Sequence, residues 1–425
     1  LEGGGDFFRE SKGRYEPSFL AILNARIAAG ILMPINLIRQ FLKLEAASGL
    51  ILLIVTLAAL IWSNLPLNQS YEVFFNSSFM LSFDHYQSIK PLSFWINEGL
   101  MTLFFLLIGL ELKREFLEGE LASVSRIVLP GVAALGGMIV PAVIYVLINL
   151  GSPDTLKGWP IPVATDIAFA LGVLSLFGKK IPVGLRLFLM ALAIFDDLGA
   201  ILIIALYYTE GLSFFPLFFG GVIFVVLILL NLFKVTHLGI YCLLGGLLWF
   251  FILRSGVHPT IAGVLFALTM PLSIAKKVER TLHPWIAFFI MPLFALANAG
   301  VSFEGVSISI LFDPVTLGII LGLFLGKQLG VFSSVYFVIK NWPHLLPKDA
   351  SWLQVYGVTV LCGIGFTMSL FLGNLAFIQD APVYATKVRL GVLVGSVASG
   401  MIGAFILYFS HKLQRRNVLS TGVSA

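Results

Sequence analysis

Between Arg186 and Glu210 every residue is uncharged except two, Asp196 and Asp197, which stand side by side near the middle. Read as a helix rising about 1.5 Å per residue, the segment places Asp196 near the midplane of a hydrocarbon core about 30 Å thick. A carboxylate at that depth costs about 2.5–3.5 kcal/mol even on the lenient insertion scale. Such a segment is tolerable only inside a bundle of helices that turns both carboxylates away from lipid. This pair therefore constrains both the fold and the use to which the fold is put.

The rest of the chain supplies that bundle. Its 425 residues are 58% hydrophobic and 12% charged, against about 25% charged in soluble domains. The apolar runs are continuous and about 20 residues long, which predicts an all-α polytopic membrane protein and argues against a barrel of alternating strands. Twelve spans are expected, near 45–64, 94–112, 127–150, 160–176, 184–208, 213–233, 237–253, 257–274, 284–302, 315–339, 353–376 and 388–410. Residues 1–44 are expected to form a cytoplasmic N-terminal segment in which Leu20 to Leu42, mixed apolar and basic, reads as an interfacial helix. Residues 45–410 form the membrane domain and 411–425 a tail. Between the first two spans, Tyr71 to Leu81 is aromatic and β-prone around Asn76-Ser77-Ser78, which predicts a short exposed hairpin over about 71–86. An irregular loop on the membrane surface is the competing reading.

Basic residues set the orientation. With the N-terminus in the cytoplasm, the inner segments hold Lys113, Arg114, Arg126, Lys179, Lys180, Arg186, Lys234, Lys276, Lys277, Arg280 and the basic residues of both ends. The outer segments hold only Lys90, Lys157, Arg254, Lys387 and Arg389. Both termini are thus expected inside. Lys327 belongs to neither set, because it lies within the tenth span. The two cysteines, Cys242 and Cys362, fall in apolar spans and give no disulfide framework.

A weak internal symmetry accompanies this pattern. Thr165-Asp166-Ile167-Ala168-Phe169 in span four echoes Cys362-Gly363-Ile364-Gly365-Phe366 in span eleven, and Arg186-Leu187 echoes Arg389-Leu390. Span four enters from outside and span eleven from inside, so the match fits two halves repeated in opposite orientation. Both spans also look interrupted, one by Pro160, Pro162, Thr165 and Asp166, the other by Gly357, Gly363 and Gly365. Paired broken helices at corresponding positions point to a transport site.

Asp196 and Asp197 lie about 100° apart on a helix, so one faces a given point more directly than the other. Like charges this close cannot both ionise cheaply in a dry site. They take up protons or a hard cation that prefers oxygen ligands, and competition between the two is exchange. Asp166 in the break of span four suits facing helix N-termini, with Thr165 beside it as ligand or cap. Lys327 either neutralises facing helix C-termini or pairs with an aspartate of the dyad. At the inner end of span two, Glu111 and Glu115 are an i, i+4 pair flanking Lys113 and Arg114, with Glu279 and Arg280 on a facing inner loop. Glu98 and His258 are candidates for pH response.

Six stretches carry a resemblance: Gly109-Leu110-Glu111-Leu112-Lys113-Arg114-Glu115, Ala164-Thr165-Asp166-Ile167-Ala168-Phe169-Ala170-Leu171-Gly172, Asp196-Asp197-Leu198-Gly199-Ala200, Ser255-Gly256-Val257-His258, Leu282-His283-Pro284-Trp285 and Gly363-Ile364-Gly365-Phe366-Thr367-Met368-Ser369. In this order the chain resembles the NhaA family of bacterial sodium/proton antiporters, an inverted-repeat transporter fold. The resemblance implies twelve helices with spans four and eleven unwound and crossing. It implies cation and proton binding at Asp196 and Asp197, with Thr165 and Asp166 beside them, and charge compensation by Asp166 and Lys327. It also implies exchange of one sodium or lithium ion for two protons across the bacterial inner membrane. Glu111, Arg114, Glu115, Glu279, His258 and His283 would tune the response to pH, and the hairpin would join a homodimer. Arg280 stands where the family often has His, and Glu98 where a shorter Asp is familiar.

Other classes fit less well. An intramembrane aspartyl protease draws its two aspartates from different helices, whereas these are adjacent on one. A channel would show rings of charge set by oligomer symmetry rather than inverted halves. A proton-coupled carrier of another cation is the nearer alternative. No Gly-x-x-x-x-Gly-Lys loop or Cys/His cluster with ligand spacing appears, so no cofactor, nucleotide or nucleic-acid partner is expected.

Overall fold

The computed structural model describes residues 45–66, 68–83, 86–119, 124–209, 211–347, 350–377 and 381–421. The interfacial helix expected before residue 44 lies outside them. Helices dominate, as they must where lipid offers no partner for backbone N–H and C=O groups. In chain order they are α1 (Glu45–Asn64), α2 (Asn68–Asn76), α3 (Leu92–Glu118), α4 (Val124–Asn149), α5 (Ile167–Ser175), α6 (Val183–Tyr207), α7 (Phe214–Leu232) and α8 (Leu238–Ser255). There follow α9 (Thr260–Thr269), α10 (Leu272–Asn298), α11 (Pro314–Asn341), α12 (Trp352–Leu361), α13 (Phe366–Ala376) and α14 (Ala381–Thr421).

Among the described residues, ten helices are long and apolar enough to cross a membrane, or eleven when the bent pair around Asp166 is counted as one span. The eighth expected span is the exception. Its helix α9 has ten residues, about 15 Å of rise, because Pro259 and Pro271 bracket it.

Two expectations are corrected. Residues 71–76 belong to α2 rather than to a strand, and Asn76 ends that helix instead of turning a hairpin. The strands come later: β1 (Ser78–Phe83) pairs antiparallel with β2 (Tyr86–Pro91), Phe83 opposite Tyr86. Tyr71 and Phe75 of α2 turn inward, where their rings pack with Trp62 of α1. Burial against α1 thus overrides the β propensity of this aromatic stretch. The second correction concerns Glu279 and Arg280, which lie on the first half of α10 and not in a loop. The last helix also runs past 410 to Thr421.

The helices form two groups. One holds α4, α6, α11, α12, α13 and α14, with α4 packed along α11 and α12 along α14. The other holds α3, α7, α8, α9 and α10, with α9 packed along α3. Helix α1 touches both, through α5 and α10. Helix α7 keeps Phe214, Phe215 and Phe218 exposed, an apolar surface far too large for water and suited to lipid. We name the two ends of the bundle by their contents: the hairpin end carries β1 and β2, and the basic end carries Arg114.

The α4–α11 contact depends on glycine. A Cβ placed on Gly330 would fall against the backbone of Gly136, and one on Gly136 against Ser334 and Gly330. Gly330→Ala should therefore destabilise the protein by about 1–3 kcal/mol through overpacking, seen as a lower Tm in detergent. An unchanged Tm would mean that α4 and α11 do not approach this closely.

Candidate functional site

Two chain breaks meet at the centre of the molecule. Helical turns end at Val163 and resume at Ile167, while α12 ends at Leu361 and α13 begins at Phe366. The breaks are joined directly: Asp166 N donates to Ile364 O at 2.6 Å, and Thr165 Oγ1, whose single proton lies between two acceptors, is 2.8 Å from Cys362 O and 2.7 Å from Asp196 Oδ2. Helices α5 and α13 therefore present their N-termini to the same place. Each such end carries unpartnered N–H groups and partial positive charge.

Asp166 satisfies both ends at once. Its Oδ1 accepts from Phe169 N of α5 at 2.9 Å. Its Oδ2 accepts from Thr367 N at 3.0 Å and from Thr367 Oγ1 at 2.5 Å, both in the first turn of α13. Ser396 of α14 supports the same turn by accepting from Gly365 N and Phe366 N at 3.2 and 3.1 Å. The expectation of an aspartate between facing N-termini thus has its geometric counterpart.

The dyad lies beside this junction, on α6. Asp196, Asp197, Thr165, Asp166 and Lys327 are all buried. Asp196 Oδ2 accepts from Lys327 Nζ at 2.5 Å and from Thr165 Oγ1 at 2.7 Å. Of the two positions left open for Lys327, the structure has the ion pair with the dyad. Asp196 Oδ1 and Asp197 Oδ1 are buried and without a hydrogen-bond partner. The charges within electrostatic reach of Asp197 are Asp196, Asp166, Glu111 and Lys327, three acids and one base. Two carboxylate oxygens with open lone pairs, in a dry setting with excess negative charge, suit a proton or a small hard cation.

The basic-end cluster is assembled by α3 and α10. Arg114 Nε donates to Glu279 Oε1 at 2.9 Å and Oε2 at 3.2 Å, and its Nη1 lies 2.6 Å from Glu115 Oε1. Lys276 pairs with Glu118. A cleft of about 380 Å³ opens between Arg114, Glu118, Lys276, Glu279 and Arg280. Glu111 lies one turn before Arg114 and Glu115 on α3, on the same side of that helix. His283 is exposed one turn past Glu279.

His258 is elsewhere, toward the hairpin end. Its Nε2 lies 3.1 Å from Glu98 Oε2, within ion-pairing distance but outside hydrogen-bond geometry, and its Nδ1 is 2.7 Å from Thr260 Oγ1. The structure therefore does not bring His258 and His283 together with Glu111 into one group. Sequence reading missed the part played by Ser396 and by the Cys362 carbonyl. A small polar residue in an apolar span was the available signal for Ser396; a backbone carbonyl gives none.

The Lys327–Asp196 pair generates a test of stability. Removing one partner of a buried pair costs about 3–5 kcal/mol, whereas replacing both can be nearly neutral. Asp196→Asn and Lys327→Met should each lower Tm in detergent, and the double variant should recover part of the loss. Additive losses would show that the pair is not coupled.

A sequence profile of the family described as Na+/H+ antiporter 1 matches residues 39–407. The Na+/H+ antiporter NhaA 1 of Syntrophotalea carbinolica is 50% identical over 383 residues, 88% of this chain and 96% of that relative. The Na+/H+ antiporter NhaA of Rhodospirillum rubrum is 48% identical over 399 residues, 91% of this chain and 99% of that relative. That of Nitrobacter hamburgensis is 50% identical over 388 residues, 89% and 93%. With its dyad, crossed broken helices and apolar spans, and with matches of this extent, the chain belongs to the Na+/H+ antiporter 1 family.

Proposed function

We propose that this chain is a secondary transporter that exchanges sodium, or lithium, for protons at Asp196 and Asp197. The observation that carries the reading is the pair of buried, unpartnered carboxylate oxygens, Asp196 Oδ1 and Asp197 Oδ1. Asp196 already has a counter-charge in Lys327. Asp197 is buried beside Asp196 with its Oδ1 unpartnered, so as a bare anion it would be costly. A proton or a cation removes that cost, and the two exclude one another. Sodium at both carboxylates would also compete with Lys327 for Asp196, freeing a second proton from the lysine–aspartate pair. That supports a count of two protons per cation and an exchange driven by the proton gradient.

Thr165 holds Asp196 in place, and Asp166 neutralises the helix ends beside it. The same reading gives the cluster of Glu111, Arg114, Glu115 and Glu279 at the basic end, together with His258 and His283, a part in the response to pH. The excess of Lys and Arg in the segments of the basic end supports a cytoplasmic position for that end, and for both termini, in a bacterial inner membrane. Strands β1 and β2 leave an open edge that a second copy could extend by backbone pairing, which supports a homodimer.

Two measurements test this. In everted vesicles, sodium should dissipate a proton gradient with the parent chain and not with Asp197→Asn, while potassium should do nothing in either. Normal sodium-dependent proton movement in Asp197→Asn would overturn the site, and a potassium response would change the substrate. Deleting residues 78–91 should turn a dimer into a monomer by light scattering in detergent. A dimer that survives the deletion would exclude the hairpin as its interface.

A further inference from the structure

Helix α13 connects the dyad region to the hairpin end along one face. Thr367 is bonded to Asp166 in its first turn. Phe371 is buried against Phe105 of α3, Phe294 of α10 and the His258 ring, with ring centroids 5.5, 6.2 and 5.7 Å apart. Asn374 Nδ2 then donates to Asn298 Oδ1 at 2.7 Å. Positions 367, 371 and 374 follow the i, i+4, i+7 spacing of a single helix face. That face crosses from the group holding the dyad to the end of α10 in the other group.

Asn298 is saturated by its contacts. Its Oδ1 accepts from Asn374 and from Asn97 Nδ2, the latter at 3.3 Å. Its Nδ2 donates to Asn97 Oδ1 at 2.9 Å and to Phe294 O at 2.8 Å. An amide has two acceptor lone pairs and two donors, and here all four are used. Just beyond, Arg389 Nη1 of α14 donates to Gly300 O at 2.6 Å. Carbonyls at a helix C-terminus lack intrahelical partners and carry partial negative charge, so a half-buried guanidinium suits the place. Helices α13 and α14 thus each grip the end of α10, through side chains that the cation site does not use.

We infer that Asn374 and Arg389 form a latch on the end of α10 that keeps the hairpin end of the molecule closed over the dyad. Asn298 is the shared anchor and Asn97 fixes its orientation. Opening toward that end breaks the Asn374–Asn298 and Arg389–Gly300 bonds and draws Phe371 from between Phe105 and Phe294. Because α13 also holds Asp166, a change at the dyad acts on the latch through one rigid helix. The latch rests on the antiport reading only in that a carrier site must open to each side in turn.

Accessibility tests it without measuring transport. Ala299 is fully buried beside Asn298, and Cys362 is buried while Cys242 is exposed. A thiol is introduced by Ala299→Cys in a Cys242→Ser background, and a membrane-impermeant maleimide is applied to the hairpin side. Asn374→Ala should raise the labelling rate about fivefold, the effect of losing one net hydrogen bond. Arg389→Ala should do the same, and the two together should exceed either. Equal labelling rates in these variants, in protein that melts and elutes as the parent does, would overturn the latch. If Asn374→Ala fails to fold, Asn374→Ser and Arg389→Gln serve for the same comparison. Labelling is done in right-side-out vesicles, and sodium-dependent proton movement is read separately in everted vesicles of the same variants, so its loss would bear on the antiport reading alone.

Discussion

The double capping of α5 and α13 by Asp166 is the interaction on which the centre of this structure depends. Two helix N-termini at one point in a low-dielectric interior repel one another and leave N–H groups without partners. A single carboxylate between them answers both problems, with one oxygen for each helix. Without that anion the two helix ends would repel where the backbone bond of Asp166 to Ile364 brings them together. With it, the backbone between Val163 and Ile167, and between Leu361 and Phe366, is held open within the membrane domain. Non-helical backbone at this depth is tolerable only where protein satisfies it, and here Asp166, Thr165 and Ser396 do so.

The dyad takes its character from this frame. Asp196 is held from two sides, by Thr165 on the broken strand of chain and by Lys327 on α11. Asp197, its neighbour on the same helix, keeps its Oδ1 buried and unpartnered. The difference follows from the helix itself: successive residues point about 100° apart, so one carboxylate meets the lysine and the other does not. The asymmetry supports distinct parts for the two residues in exchange, one in a relay with an amine and one carrying its proton alone.

Much of this was legible before any coordinates. The apolar runs foretold helices, since continuous hydrophobicity over about 20 residues has few other solutions. The paired interruptions of spans four and eleven foretold two broken helices, whereas their crossing was implied only by the family resemblance. The failures have physical causes. Tyr71 to Asn76 has the composition of a strand but becomes a helix because Tyr71 and Phe75 find burial against Trp62. Glu279 and Arg280 look like loop residues because they are charged, yet they form the solvated front of a long helix that becomes apolar only past Trp285. The asparagines at 97, 298 and 374 stood out in no local pattern, because each comes from a different span.

The sequence by itself determined which residues must be hidden from lipid: Asp166, Asp196, Asp197 and Lys327 are too costly to leave facing it, wherever the helices go. It also determined that the chain breaks at two corresponding points, through Pro, Gly, Thr and Asp in otherwise apolar spans. Only the tertiary structure decided the partners. Lys327 is 131 positions from Asp196 and Thr367 is 201 from Asp166; no local periodicity reaches that far. Such pairs are fixed by how α4 packs on α6 and α11 and by where the two chain breaks meet. That packing depends on close backbone approaches, such as Gly136 to Gly330, and not on any single run of residues.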